Sequence, residues 1–305
     1  MNNFSIIGIE YQLGEVELDL LEVHPEYASV LPKTGMPRHF KSDLPLHELA
    51  TQAASKIVTK HESEIADIGA LLLVTQSSEF HLPSTAALVH KSLGLPPGVM
   101  ALDLNQGCSG FTQALCLAVP LTASHKNVLI ICADRYRSKL RKGDRSTESV
   151  FSDAASAVLI KPNGPLQLIT QSHYTDGSGA QYLRQEIGGE LTMAGADVFL
   201  WTRNKVAKQI ASLIHDEIFA GRTPHTIFLH QASKLVCDTL KNLIPEIPNV
   251  PTNLEKVGNT VSSSIPILLA SDMSLLQKEG SVIIAGFGVG LSSSCIAISI
   301  DTSHT

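Results

Sequence analysis

The chain echoes itself. Leu72-Leu73-Val74-Thr75-Gln76-Ser77-Ser78 is matched in pattern by Ile227-Phe228-Leu229-His230-Gln231-Ala232-Ser233, and at roughly the same offset Val128 to Ala133 is matched by Val282 to Gly286. A repeat on this scale means that one supersecondary unit is used twice, so the fold of the first half constrains the second. The matched runs are short and apolar, and they end in polar or small residues, as strands buried on both faces do.

Periodicity fills in the rest of the unit. A strand is expected over Ser5 to Tyr11, then an irregular stretch punctuated by Pro25, Pro32, Gly35 and Pro37. Leu46 to Lys60 carries Leu49, Ala53 and Ile57 at helical spacing and leads into a strand over Ile68 to Thr75. A helix over Pro83 to Leu93 is closed by Gly94, a strand follows at Ala101 to Leu104, a buried helix at Phe111 to Ala123, and a central strand at Val128 to Ala133. The order resumes with a long helix over Val198 to Phe219 and a strand over Thr226 to His230. Alternating strands and helices imply an α/β sheet. The duplication divides the chain into halves, residues 1–164 and 165–305.

Composition narrows the class. With 44% hydrophobic residues in 305, the chain fills a substantial core. A formal charge of -6 argues against wholesale nucleic-acid binding, which rests on a basic face. Five cysteines without regular spacing or a CxxC pair suit neither a disulfide framework nor zinc, so no metal site is expected. The start, Met1-Asn2-Asn3-Phe4-Ser5-Ile6-Ile7-Gly8, lacks the basic and apolar regions of a leader, and no apolar run reaches spanning length. A soluble, cytoplasmic protein with no membrane contact is expected.

One cysteine stands apart from the other four, which lie in apolar runs. Cys108, in Gly107-Cys108-Ser109-Gly110-Phe111, falls where a strand hands over to a helix, with glycine on both sides to permit a tight turn. Backbone N–H groups of the new helix favour a thiolate there, which points to a nucleophile. His230, in His230-Gln231-Ala232-Ser233, sits at the C-terminal end of a strand, where the sites of α/β folds collect. Asn259 follows Gly258 in Gly258-Asn259-Thr260-Val261-Ser262-Ser263-Ser264-Ile265-Pro266, at a place in the second half similar to that of Cys108 in the first. The glycine-rich Gly286-Phe287-Gly288-Val289-Gly290-Leu291 is expected to end the last central strand. Without a following helix or a distal acidic residue it is a poor dinucleotide loop.

These segments resemble the β-ketoacyl-ACP synthase III group of the thiolase superfamily, whose signatures run Cys-Ser/Ala-Gly-Phe, His-Gln-Ala-Asn and Gly-Asn-Thr-Ser with proline a few residues on. Lys33-Thr34-Gly35-Met36, Phe151-Ser152-Asp153-Ala154-Ala155-Ser156-Ala157, Met193-Ala194-Gly195 and Gly286 to Leu291 also have counterparts, in order. The resemblance implies a thiolase-like fold, two duplicated βαβαβαββ halves in a five-layered α-β-α-β-α arrangement. It also implies a homodimer that takes acyl-CoA or acyl-ACP and malonyl-ACP or malonyl-CoA, with CoA and phosphopantetheine as substrates and no cofactor.

Roles follow from the same likeness. Cys108 would hold an acyl group, while His230 and Asn259 would bind the malonyl thioester carbonyl as CO2 leaves; the N–H groups of Cys108 and Val289 would form an oxyanion hole. Arg145, at the end of the basic run Arg135, Arg137, Lys139, Arg141, Lys142 and Arg145, would bind CoA or the carrier, with Lys33 where the family has another arginine and Lys234 adding to the docking surface. Leu82 and Phe287 would line the acyl pocket, with Leu82 reaching across the dimer. Ser29 stands where the family carries a tryptophan against the CoA adenine, and Ser233 replaces the asparagine of the histidine motif; both suggest a specialised pathway. Two other readings stay open: acyl transfer from Cys108 to an amine or alcohol without decarboxylation, and a partner subunit in a heterodimeric synthase. Cys, His and Asn also occur in cysteine proteases, but the glycine-framed corner and duplicated α/β pattern are unlike that class.

Overall fold

The computed structural model of the protein describes residues 3–301; Met1 and Asn2, which begin the stretch read for a leader, lie outside them. The first half contains β1 (Asn3–Leu13), the short pair β2 (Val16–Asp19) and β3 (Arg38–Lys41), then β4 (Ile68–Val74), β5 (Met100–Leu104), β6 (Asn127–Asp134) and β7 (Ala154–Pro162). Its main helices are α1 (Leu46–Lys60), α2 (Thr85–Ser92) and α3 (Gly110–His125). The second half contains β8 (Leu166–Thr175), the short pair β9 (Leu183–Gln185) and β10 (Leu191–Met193), then β11 (Pro224–Leu229), β12 (Gly280–Gly288) and β13 (Ser292–Ile300). Helices α4 (Gly195–Trp201), α5 (Ala207–Phe219), α6 (Lys234–Leu243) and α7 (Ser264–Ser271) complete it.

The duplication is visible in the pairing. β4 runs parallel to β6, which pairs antiparallel with β7, which pairs antiparallel with β1. In the second half β11 runs parallel to β12, which pairs antiparallel with β13, which pairs antiparallel with β8. The halves join where Asn3 and Phe4 meet Gln167 and Leu166, giving one nine-stranded sheet in the order β11-β12-β13-β8-β1-β7-β6-β4-β5.

Strand alternation then sets five layers, because successive side chains point to opposite faces. Ala70, Leu72, Val74, Val128 and Ile130 face inward onto Phe111 and Leu115 of α3 and Ile265 and Leu268 of α7. Phe228, Val282, Ile284 and Ile296 of the second half close on the same helices from the other side. The alternate residues face outward: Leu71, Leu73 and Leu129 onto α1 and α2, and Ile227, Leu229 and Ile283 onto α5 and α6. The α-β-α-β-α arrangement expected from the resemblance is the one the chain adopts.

Four local readings are corrected. The long helix expected over Val198 to Phe219 is broken by a π-helical turn, Thr202–Val206, between α4 and α5. Gly286 to Leu291 does not end the last strand, because β13 follows it and pairs back along the whole of β12. The helix expected from Pro83 starts at Thr85, since Ser84 Oγ accepts from Ala87 N at 3.3 Å and caps it. The proline-punctuated stretch is not wholly irregular, for β2 and β3 pair within it.

Candidate active site

Cys108 occupies the turn between β5 and α3, and close passage of β12 shapes its surroundings. A Cβ on Gly286 would lie 2.8 Å from the Cys108 carbonyl oxygen and 2.8 Å from Ser109 Cα, and one on Gly288 would lie 2.9 Å from Cys108 Cβ and 3.0 Å from Sγ. Only glycine lets that strand press so near. The thiol is buried, and the expected lowering of its pKa is not found: burial, with the Asp134 carboxylate nearby, pushes it up to about 12. The backbone N–H groups of Cys108 and Val289 pull in the opposite direction without winning. The resting sulfur is therefore a neutral thiol facing two main-chain donors.

His230 follows β11, its N–H donating to Ala285 O of β12 at 2.8 Å. Its ring lies edge-on to Phe287, with centroids 5.6 Å apart, and Nδ1 is 2.6 Å from Ser264 Oγ at the start of α7. Burial drives its pKa down to about 3, so the ring is neutral at physiological pH. A serine hydroxyl at Nδ1 can donate or accept, leaving Nε2 to be a donor or an acceptor accordingly.

Asn259 is held by the other half of the molecule. Its N–H donates to Val150 O at 3.0 Å, and its carbonyl accepts from Ser152 N at 2.8 Å. The preceding Gly258 has φ +67, and a Cβ there would fall 2.6 Å from Ser152 Oγ, so glycine is required on both counts. Asn259 Oδ1 accepts from Val261 N at 2.9 Å, which orients the amide with Nδ2 as its donor end; one Nδ2 proton makes a long bond to Ala232 O, at 3.4 Å.

The three side chains share one cavity of about 170 Å³, whose lining includes Cys108, His230, Asn259, Phe287, Gly288 and Lys33. A buried sulfur, a neutral imidazole and an oriented amide therefore face a common space. Asp134 lies near Cys108 and joins segments of both halves: its carboxylate accepts from Gln76 N at 2.9 Å, Ser77 Oγ at 3.2 Å and Ser262 Oγ at 2.5 Å, and burial raises its pKa to about 6.

The remaining expected residues divide. Val289 N–H faces Cys108, and its carbonyl accepts from Ser292 Oγ at 2.8 Å while Ser292 Oγ pairs with Ser109 Oγ at 2.8 Å. Lys33 is exposed on the cavity lining. Lys234 is exposed, but its ammonium is taken by Asp238 at 2.6 Å. Arg145 is exposed and does not line the cavity. Within the basic run, Arg135 and Arg137 are structural, their guanidinium groups donating to Ser42 O and to Glu148 O and Phe151 O. Leu82 is 86% exposed and does not line the Cys108 cavity of its own chain.

Ser264, Ser292 and Asp134 were missed by motif reading. Ser264 was within reach, five residues after Asn259 in a serine run, but nothing local shows that its hydroxyl meets a histidine from another strand. Among the described residues, no three His, Cys, Asp or Glu side chains are grouped to hold a metal ion, and no helix is long and apolar enough to cross a membrane.

Comparison with known proteins agrees with this geometry. Residues 102–188 match the family described as 3-oxoacyl-[acyl-carrier-protein (ACP)] synthase III, and residues 223–300 match its C-terminal part. A β-ketoacyl-[acyl-carrier-protein] synthase III from Streptococcus suis is 30% identical over 280 residues, covering 85% of this chain and 86% of that one. One from Koribacter versatilis is 29% identical over 289 residues, covering 87% and 86%. The crystal structure of 3-oxoacyl-[acyl-carrier-protein] synthase III from Aquifex aeolicus superposes with a TM-score of 0.89 at 25% identity, over 97% of this chain and all of that one. With both family segments in place around a cavity that gathers cysteine, histidine and asparagine, the chain belongs to the 3-oxoacyl-ACP synthase III family and is an acyltransferase of that type.

Proposed function

We propose that the protein carries out a decarboxylative Claisen condensation on Cys108. The observation that carries this reading is the meeting of Cys108, His230 and Asn259 on one cavity, the last two as neutral donors. Because the resting thiol is neutral, acylation needs a proton acceptor. With Nδ1–H donating to Ser264, His230 Nε2 takes the thiol proton as the sulfur attacks the donor thioester. The new S–C bond replaces the old one, and the departing thiolate leaves with that proton as a free thiol.

In the second half-reaction the malonyl C–C bond breaks, CO2 leaves, and the electron pair passes to the thioester carbonyl as an enolate. His230 Nε2–H, with Ser264 now donating to Nδ1, and Asn259 Nδ2–H stabilise that oxygen; one such donor is worth about 3 kcal/mol. The enolate carbon attacks the acyl-Cys108 carbonyl, and the tetrahedral oxyanion is received by the N–H groups of Cys108 and Val289. The Cys108 sulfur is expelled as a thiolate that takes up a proton from water, leaving a β-ketoacyl product and the resting thiol. The steps call for no metal or organic cofactor; CoA and phosphopantetheine enter as substrates.

Exposed Lys33 on the cavity lining supports recognition of an anionic carrier or CoA, a role the family likeness extends to Arg145 and Lys234. The exposed Phe80 and Leu82 support a homodimer in which Leu82 meets the partner's acyl pocket. Ser29, exposed where the family carries its tryptophan, supports an acyl-carrier donor and a specialised pathway. The test is a coupled assay with malonyl-carrier labelled in the free carboxyl: condensation releases labelled CO2 with each β-ketoacyl product, whereas transfer to an amine or alcohol consumes acyl-Cys108 with none.

A further inference from the structure

A second and larger opening, of about 990 Å³, is lined by Gln76, Tyr136, Leu183 and Val289, and Leu183 also lines the Cys108 cavity, so the two share a wall. The larger opening is polar beside Gly107, the residue that precedes Cys108. Tyr136, only 5% exposed and packed in the same cluster as Cys108, donates its hydroxyl to Gln76 Oε1 at 2.8 Å. Gln76 is itself fixed through its main-chain N–H on Asp134 at 2.9 Å. It presses on the residue next to the nucleophile: a Cβ on Gly107 would lie 2.5 Å from Gln76 Oε1 and 2.9 Å from a Val289 methyl. Glycine at 107 thus makes room for an amide against the catalytic corner.

The pair is satisfied internally on one side only. Gln76 Oε1 is used by the tyrosine, while the Gln76 Nε2 protons and the phenol oxygen lone pairs have no protein partner among the described residues. A hydrocarbon chain laid against them would strip their water without replacing the hydrogen bonds, which costs binding energy. An acyl group bearing an oxygen near the thioester would replace them.

We propose that Gln76 and Tyr136 form a specificity subsite that selects an acyl group oxygenated at C3, with Gln76 Nε2 donating to that oxygen and a C3 hydroxyl donating to the tyrosine. This rests on the acyl-Cys108 reading above and names its substrate class. The oxygen takes no part in the chemistry: the thioester S–C bond to CoA breaks as the Cys108 S–C bond forms, and the thiol proton leaves with CoA.

The test follows the Cys108 adduct by intact mass while the whole protein is incubated with 3-hydroxybutyryl-CoA or, in parallel, butyryl-CoA. The hydroxyacyl donor should load roughly tenfold faster, the worth of about one neutral hydrogen bond. Gln76→Leu should bring the two rates within about twofold by speeding the butyryl reaction. Tyr136→Phe, which keeps the ring and so the packing, should reduce the preference without abolishing loading. Equal or faster loading of butyryl-CoA by the unaltered protein overturns the proposal, whether or not the variants fold, and so does an unchanged preference in Tyr136→Phe. No adduct on Cys108 from either acyl group, offered as the CoA thioester and on acyl carrier protein, would overturn the acyl-enzyme reading itself, and this subsite with it.

Discussion

Cys108, the nucleophile of the proposed reaction, rests as a thiol at a corner whose backbone favours charge. The helix start and the Val289 N–H favour negative charge at the sulfur, but burial and the Asp134 carboxylate outweigh them and hold the pKa near 12. In the proposed condensation the same donors would serve the oxyanion that forms beside the sulfur more than the sulfur at rest. Cys108→Ala should leave no covalent adduct when the protein is mixed with acyl-CoA and weighed intact. Asn259→Ala should keep that adduct but slow condensation by roughly 100-fold or more, as loss of a donor to an enolate does elsewhere. Single-turnover measurement of loading and of CO2 release separates the two effects. Gly288→Ala places a methyl 3.0 Å from Sγ, so loading itself should slow in that variant.

Among the elements, β12 and α7 do most to assemble the site. β12 brings Gly286 onto the first turn of α3, and Gly286→Ala puts a Cβ within 2.8 Å of backbone that cannot yield cheaply. It should cost about 1–3 kcal/mol in urea denaturation, the usual penalty of overpacking. α7 supplies Ser264, and Ser264→Ala should lower the rate of condensation with little change in KM, while Ser264→Thr, which keeps the hydroxyl, should restore much of it. The same elements show what a sequence reveals. α1 spans Leu46–Lys60 as its spacing predicts, because one face of 3.6-residue periodicity determines a helix locally. β13, by contrast, begins Ser292-Ser293-Ser294-Cys295, with none of the branched residues that mark strands, and exists because β12 and β8 flank it on both sides. The π-helical turn at Thr202–Val206 likewise breaks an apolar pattern that reads as one continuous helix. Cys108, His230 and Asn259 were legible because each sits at a corner marked by glycine or by a strand end. Ser264, Ser292 and Asp134 were not, because their roles depend on partners far along the chain.

At the scale of the whole molecule, two halves share a single core, and buried ionisable groups set how its stability responds to pH. His39 and His230 have pKa values lowered to about 3, so the unfolded chain binds protons first as pH falls below 6.5 and the fold loses stability. Asp134 and Asp153 work in the opposite sense: raised to about 6, they protonate in the fold before the unfolded chain does, and stability is gained between pH 6 and 4. Asp134→Asn removes one such gain. Its unfolding free energy should therefore fall more steeply than that of the unaltered protein as pH drops through this range, by up to about 1.4 kcal/mol per pH unit, read from urea melts at stepped pH.

The central claim joins the halves, since the sulfur comes from one and both donors from the other. Pre-loaded acyl-Cys108 protein mixed with carboxyl-labelled malonyl-carrier tests it in one step, by following labelled CO2 and the mass of residue 108 together. Loss of the acyl mass in step with CO2 and a β-ketoacyl-carrier is the predicted result. CO2 release that persists undiminished in the Asn259→Ala protein, or discharge of acyl-Cys108 to an acceptor with no CO2, would contradict it.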